Sequence, residues 1–238
     1  MVLFQWTPSR IYLAADSLTT KIDGGRVSGA VECKIHQVGD VFFTIVGVNN
    51  DDTNKIDLVA VAKKAAVAKG GIVDKVTAFE ALAKDQIDRV MRVNLTSHLG
   101  STEPQRVTVV FVDRVSHILV CKEYVRNSDG STKSIPRDVY SAPQKSSDMK
   151  GVGAIEESVA ALNKSEALLK LEDVPLIDAM MNLQFENEAQ RLRRNQIPRV
   201  GPPICILQIE RGIATWVPGY QGKCPDIEPA HPKPRTKK

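Results

Sequence analysis

The order of predicted elements along the 238-residue chain points to an α+β fold, a four-layer αββα sandwich of two antiparallel sheets flanked by helix pairs. Three observations carry this expectation. Strand-like runs come in blocks, and helical runs come in blocks between them. The blocks do not alternate strand by helix, which argues against parallel βαβ units. Each helical block carries an apolar stripe at a spacing of three to four residues, and such a stripe needs a sheet face to cover.

Taken in order, Val2–Trp6 reads as a short strand, and Thr7-Pro8-Ser9-Arg10 supplies turn chemistry before an apolar strand at Ile11–Ala15. A Gly24-Gly25 turn precedes a strand-like stretch near Val27–Ile35, and Gly39-Asp40 separates it from Val41–Val48. Between Thr53 and Ala68, the residues Ile56, Val59, Ala60, Lys63 and Val67 fall at helical spacing, and Gly70-Gly71 ends the run. Val76, Phe79, Ala83, Ile87 and Val90 trace the stripe of a second helix, with Asp74 as its cap. The pattern breaks around Ser97–Pro104. Strands return at Arg106–Val112 and His117–Val125, joined by a connection of hairpin length, Asp113-Arg114-Val115-Ser116. Asn127–Ser131 is a strong turn, and Val139-Tyr140 starts another short strand. Helices follow near Ala154–Leu169 and Pro175–Arg194, the latter with Ile177, Met180, Met181, Phe185, Ala189 and Leu192 on one side. Ile204–Ile209 and Ile213–Val217 close the fold as a hairpin about Arg211-Gly212.

Composition limits the function classes. With 42% hydrophobic and 25% charged residues, the chain can bury a sizeable core without staples. No apolar run approaches the ~20 residues of a membrane span, so no membrane partner is expected. The net charge of +4 equals the charge of Lys233, Arg235, Lys237 and Lys238, which leaves residues 1–232 neutral. A cationic end that also holds four of the 13 prolines from Lys223 onward reads as a mobile, solubilising tail. The domain is therefore placed at residues 1–218 and the basic tail at 219–238. Aromatic residues make up 5%, with no basic-aromatic interleaving, so no nucleic-acid partner is expected either.

Cys33, Cys121, Cys205 and Cys224 form no CxxC pair, and free structural thiols are favoured over one disulfide. His36, His98, His117 and His231 are scattered without metal spacing, and there is no GxGxxG, P-loop or HExxH pattern. Neither a metal nor a cofactor is expected. Asn94-Leu95-Thr96 and Asn163-Lys164-Ser165 fit glycosylation sequons, as short motifs do by chance.

Three segments stand in register with a known pattern. Ile11-Tyr12-Leu13-Ala14-Ala15-Asp16-Ser17-Leu18-Thr19-Thr20 resembles the second strand and turn of proteasome-type β subunits. Glu32-Cys33-Lys34-Ile35-His36-Gln37-Val38 and Val41-Phe42-Phe43-Thr44-Ile45-Val46-Gly47-Val48 resemble the segments that follow there. The block order is similar to that of the N-terminal nucleophile hydrolase sandwich up to about Pro218. The resemblance implies hydrolysis of a peptide or other amide bond by the first residue of the mature chain, in the manner of a threonine protease. It also implies self-assembly, since such subunits stack into rings.

The chemistry has a physical logic. A free α-amine, with a pKa of ~7.7–8, can serve as base for its own side-chain nucleophile. A nearby Lys⁺ eases deprotonation, a buried carboxylate orients that Lys, and a backbone N–H stabilises the oxyanion. By the resemblance, Asp16 is the orienting carboxylate, Lys34 the catalytic lysine and Gly47 the oxyanion donor. Thr20 would bond the substrate backbone, and Ile45 would line an apolar specificity pocket. Read alone, Asp16 is a turn cap, Lys34 a solvated strand lysine and Gly47 a strand-end glycine.

The pattern departs in two places. The nucleophile is expected at or just before Met1, yet methionine and Val2 carry no ionisable nucleophile, and starting at Thr7 would delete the first strand. Near Asn195-Gln196-Ile197-Pro198-Arg199-Val200-Gly201 the family has an Asp and a Ser. Asn195 can replace the Asp as a neutral acceptor, while Ser146 or Ser147 stands for another serine near the terminus. Two readings compete. In one, Met1 replaces a leader that ended in Thr, Ser or Cys, which allows export. In the other, Met1 is native, the protein is cytoplasmic, and the chain is a non-catalytic scaffold that keeps Asp16 and Lys34 as a buried ion pair.

Overall fold

The computed structural model describes residues 1–7, 9–23, 26–52, 54–92, 106–127, 131–141, 148–153, 159–160, 164–194 and 199–229. The first strands are β1 (Val2–Trp6), β2 (Arg10–Asp16), β3 (Leu18–Asp23), β4 (Arg26–Val31), β5 (His36–Val38) and β6 (Val41–Val46). Two short strands, β7 (Asn50–Asp51) and β8 (Ile56–Asp57), lead into helices α1 (Leu58–Ala66) and α2 (Ile72–Arg92). Strands β9 (Arg106–Asp113), β10 (Ile118–Arg126), β11 (Thr132–Ser141) and β12 (Asp148–Val152) follow. A single turn, α3 (Glu166–Leu169), precedes the long α4 (Asp173–Arg193) and the final hairpin of β13 (Ile204–Glu210) and β14 (Ile213–Trp216).

The strands form two five-stranded antiparallel sheets, ordered β12-β1-β2-β13-β14 and β11-β10-β9-β6-β5, with β3-β4 and β7-β8 as separate ribbons. Three apolar cores separate four layers. Val2, Phe4, Ile11, Leu13 and Leu207 of one sheet meet Phe42, Val110, Val112 and Leu119 of the other. Residues at the alternate positions of the second sheet, such as Phe43, Val109 and Phe111, pack under Val76, Phe79, Ala83 and Ile87 of α2. On the far side, Leu3, Ala14 and Ile206 pack under Ile177, Met180 and Met181 of α4. Period-two alternation explains this division, because successive side chains point to opposite faces. Both faces of each sheet are covered, so its strands read as continuous apolar runs. The αββα architecture is as expected.

Local structure corrects several elements. The first helix starts at Leu58 rather than near Thr53, because the Asp57 carboxylate accepts a hydrogen bond from Ala60 N at 2.8 Å and caps it. Its buried face is Leu58, Val61, Ala62, Ala65 and Ala66, while Val67 is 70% exposed. Asp74 lies inside α2, and its carboxylate reaches back to the Gly71 N–H at 2.8 Å. The α4 stripe turns polar toward its end. Gln184 and Glu188 are buried, whereas Leu192 is 59% exposed. Strand β12, unread in the sequence, pairs with β1 from Val2↔Val152 to Trp6↔Asp148.

The cysteine reading is also overturned. Cys33 and Cys224 form a disulfide, and Cys121 and Cys205 are buried thiols outside any disulfide. Cys33 lies between β4 and β5, outside any strand. The segment following Lys223, expected to be mobile, is packed as far as Glu228. Gln37 and Glu228 exchange hydrogen bonds at 2.9 and 3.1 Å, and Arg114 donates to the Glu228 carbonyl at 2.8 Å. Lys233, Arg235, Lys237 and Lys238 lie outside the described residues, as do both sequon asparagines, Ser97–Pro104, Gly24-Gly25 and half of the expected 154–169 helix.

Candidate functional site

The site forms where three chain segments converge on the end of β2. The hairpin register sets Val2 against Ala15, so Met1 falls opposite Asp16, and the Asp16 N–H donates to the Met1 carbonyl at 3.3 Å. Strand β13 flanks the other edge of β2, with Ile204 opposite Asp16. The loop entering β13 therefore passes beside Asp16, and Gly201 accepts from Ser17 N at 3.1 Å. The link between β4 and β5 brings in Lys34.

Asp16 is completely buried and fully engaged. Its Oδ1 accepts from the Met1 α-amine at 2.6 Å. Its Oδ2 accepts from Lys34 Nζ at 2.8 Å, Leu18 N at 3.1 Å and Gly201 N at 3.3 Å. One carboxylate thus serves two cations. Burying a carboxylate is tolerable only with such pairing. The amine is enclosed as deeply, and burial pushes its pKa below the ordinary 8.0, with Asp16 and Glu188 opposing the shift and Lys34 adding to it. The lowered pKa favours the neutral amine, which is the form that a general base needs.

The remaining expected residues are placed as follows. Lys34, at 16% exposure, directs its ammonium at Asp16 and is not a solvated strand lysine. Gly47 has φ +104°, and a Cβ there would overlap the Arg106 carbonyl oxygen. The neighbouring strand therefore demands glycine regardless of any substrate. Ile45 packs among Phe43, Val107 and the α1–α2 layer at 3% exposure. Thr20 sits on β3, and its side chain lies outside what the structure describes, as do Asn195, Ser146 and Ser147.

Three contributors went unread in the sequence. Gly153, with φ +89°, closes on the terminus: a Cβ there would lie 2.8 Å from Val46 Cγ1 and 3.4 Å from Met1 Cα. Ser17 Oγ stands 3.4 Å from the free Cys205 Sγ, beside Asp16. Glu188 on α4 binds Arg199, two residues before Gly201. The available signal for Glu188 was its place four residues after Gln184 on the buried face of a helix. Among the described residues, no cluster of three His, Cys, Asp or Glu side chains is placed to hold a metal ion.

The class these features define is a four-layer αββα sandwich in which a buried terminal amine and carboxylate meet a half-buried lysine at the end of β2. No protein-family model and no curated protein sequence matches the chain. Solved structures resemble it. Anbu (ancestral beta-subunit) from Yersinia bercovieri is 13% identical with a TM-score of 0.46, over 92% of this chain and 88% of that one. Eukaryotic HslV from Trypanosoma brucei is 11% identical with a TM-score of 0.42, over 88% and 98%. The helical assembly of the Anbu complex from Pseudomonas aeruginosa is 14% identical with a TM-score of 0.45, over 91% and 86%. With scores below 0.5 these are recorded likenesses, and the architecture rests on the layers described above.

Proposed function

We propose that this chain is a proteasome-like N-terminal nucleophile amidohydrolase, whose site is built to cleave a peptide or other amide bond with a nucleophile on the residue at position 1. The observation that carries the reading is the α-amine of residue 1, buried between the Asp16 carboxylate and the field of Lys34. A hydroxyl or thiol on that same residue would lie within reach of an amine able to accept its proton. The amine would take the proton as the nucleophile attacks the carbonyl carbon, then return it to the leaving amine. Lys34 keeps the local potential positive, which favours both the neutral amine and the developing oxyanion. Methionine supplies no such group, so with Met1 in place the base has nothing to activate.

A second reading has its own observation. Met1 is buried among Ile177, Met180 and Met181, which suits a residue that serves packing in a non-catalytic subunit of the same fold. Self-association belongs to both readings. It is supported by the exposed Val67 and Leu82 on the helical layer formed by α1 and α2.

One experiment separates them. Protein bearing Thr, Ser or Cys as residue 1, generated by cleaving a removable leader, is treated with a panel of fluorogenic peptide amides and an electrophilic active-site probe. The amidohydrolase reading expects covalent labelling at residue 1 and turnover, which Lys34→Ala lowers by roughly 10²–10⁴-fold. A folded variant that neither labels nor turns over any amide would overturn it in favour of the non-catalytic subunit.

A further inference from the structure

Asp16 is oriented partly by a backbone N–H from a turn, and that turn is held by an ion pair that the chemistry above does not use. Glu188 lies on α4 with 2% exposure. Its Oε2 accepts from the backbone N of Arg199 at 2.7 Å, and its Oε1 accepts from Arg199 Nε at 3.0 Å and pairs with Nη2 at 2.9 Å. Both the main chain and the guanidinium fork of Arg199 are therefore gripped by one carboxylate, a geometry a lysine cannot reproduce. Arg191 Nε at 3.4 Å and Gln184 Nε2 at 3.4 Å complete the surroundings of Glu188.

The next two residues transmit that grip. Val200 is buried at 2% beneath α4. Gly201 straddles the Asp16–Ser17 peptide, its N–H on Asp16 Oδ2 at 3.3 Å and its carbonyl accepting from Ser17 N at 3.1 Å. A Cβ at Gly201 would come within 3.2 Å of Leu18, so the turn is pressed against the start of β3. The connection from Glu188 to the residue-1 amine is thus an unbroken sequence of short contacts across three elements.

We propose that Glu188 is a positioning residue of this site: through Arg199 it holds the Gly201 N–H on Asp16, and so sets the carboxylate that the residue-1 amine and Lys34 share. For the catalytic consequence the inference rests on the function proposed above, but its structural half does not. Glu188 touches no reacting atom. The anchoring of the arch from Arg199 to Gly201 is done by a helix side chain.

The test reads the clamp first in the protein with Met1. Amide hydrogen exchange at Gly201 and Ser17 is measured for Glu188→Gln, together with the pH titration of Met1 Cα in protein labelled with ¹³C-methionine. The expected result is exchange at least about 10-fold faster at Gly201. The Met1 titration is expected to move downward, since a buried anion favouring the ammonium form is gone. Arg199→Lys keeps the Glu188 charge and loses the fork, so it should accelerate Gly201 exchange by itself. It also supplies the readout if Glu188→Gln fails to fold. Unchanged Gly201 exchange in a folded variant would overturn the proposal, because a mere tie between α4 and the loop would lower stability without touching that amide. In protein with Thr at position 1, Glu188→Gln should lower kcat by roughly 10–100-fold and leave KM alone, as expected for misplaced groups that do not bind substrate. If the Thr variant is inert while Gly201 exchange still responds, the clamp stands and the hydrolase reading falls.

Discussion

The α-amine of Met1 and Oδ1 of Asp16 stand 2.6 Å apart, and neither group has any exposed surface. The protonation of the chain terminus is thereby tied to folding. In the unfolded chain the amine titrates near 8.0, whereas in the folded protein burial lowers that value.

The sign of the pH dependence follows. Between the lowered pKa and 8.0 the unfolded chain binds more protons than the folded one, so stability rises with pH across that window and levels off above it. Burial also lowers His36 and His117 from 6.5, which adds a rise in the same direction at lower pH. The rise just below 8.0 thus reports the amine. Urea midpoints should increase steadily there, and a flat or falling profile would refute the assignment.

Gly47 and Gly219 offer a matched comparison, since both have positive φ, at +104° and +85°. An alanine at 219 meets nothing within 4 Å, so Gly219→Ala should cost only backbone strain, about 1–2 kcal/mol. Gly47→Ala adds overlap with the Arg106 carbonyl and should cost about 2–4 kcal/mol. Denaturant unfolding of the two variants measures the difference. Equal losses would show that β9 yields at Arg106 and that the tight contact does not demand glycine.

The Cys33–Cys224 disulfide closes a separation of 191 residues and anchors the C-terminal segment beside Lys34. Replacing both cysteines by serine should lower unfolding free energy by about 2–5 kcal/mol. Glu228 should also lose protection at its amide, which donates to Gln37 Oε1. Hydrogen exchange and urea titration of the double variant report both effects. Unchanged values would mean that the hydrogen bonds of Gln37 and Arg114 hold the segment without the covalent link.

Legibility differed by element, for physical reasons. The stripe Val76, Phe79, Ala83, Ile87 and Val90 was readable because α2 is long and polar on its other side, and all five side chains are buried. The α1 stripe was misread because alanines face its core, and alanine carries too little hydrophobic contrast to mark a face. Strand β12 escaped notice because Asp148-Met149-Lys150-Gly151-Val152 is not an apolar run. As the edge strand beside β1, it is recruited by backbone pairing, which leaves no trace in side-chain pattern.

At the site, the sequence by itself determined the residue types on β2 and in the link between β4 and β5. Asp16 at the end of an apolar strand and Lys34 eighteen positions later carried the resemblance, and Lys34 Nζ stands 2.8 Å from Asp16 Oδ2. Only the tertiary structure decided what surrounds them. Glu188 reaches the site through Arg199 and Gly201, and the Gly201–Asp16 bond alone joins residues 185 positions apart in the chain. The disulfide and the clamp join segments that no local rule relates, since propensity and periodicity act over a few residues. Which distant loops meet is settled by how two sheets and their helices bury their apolar faces against one another.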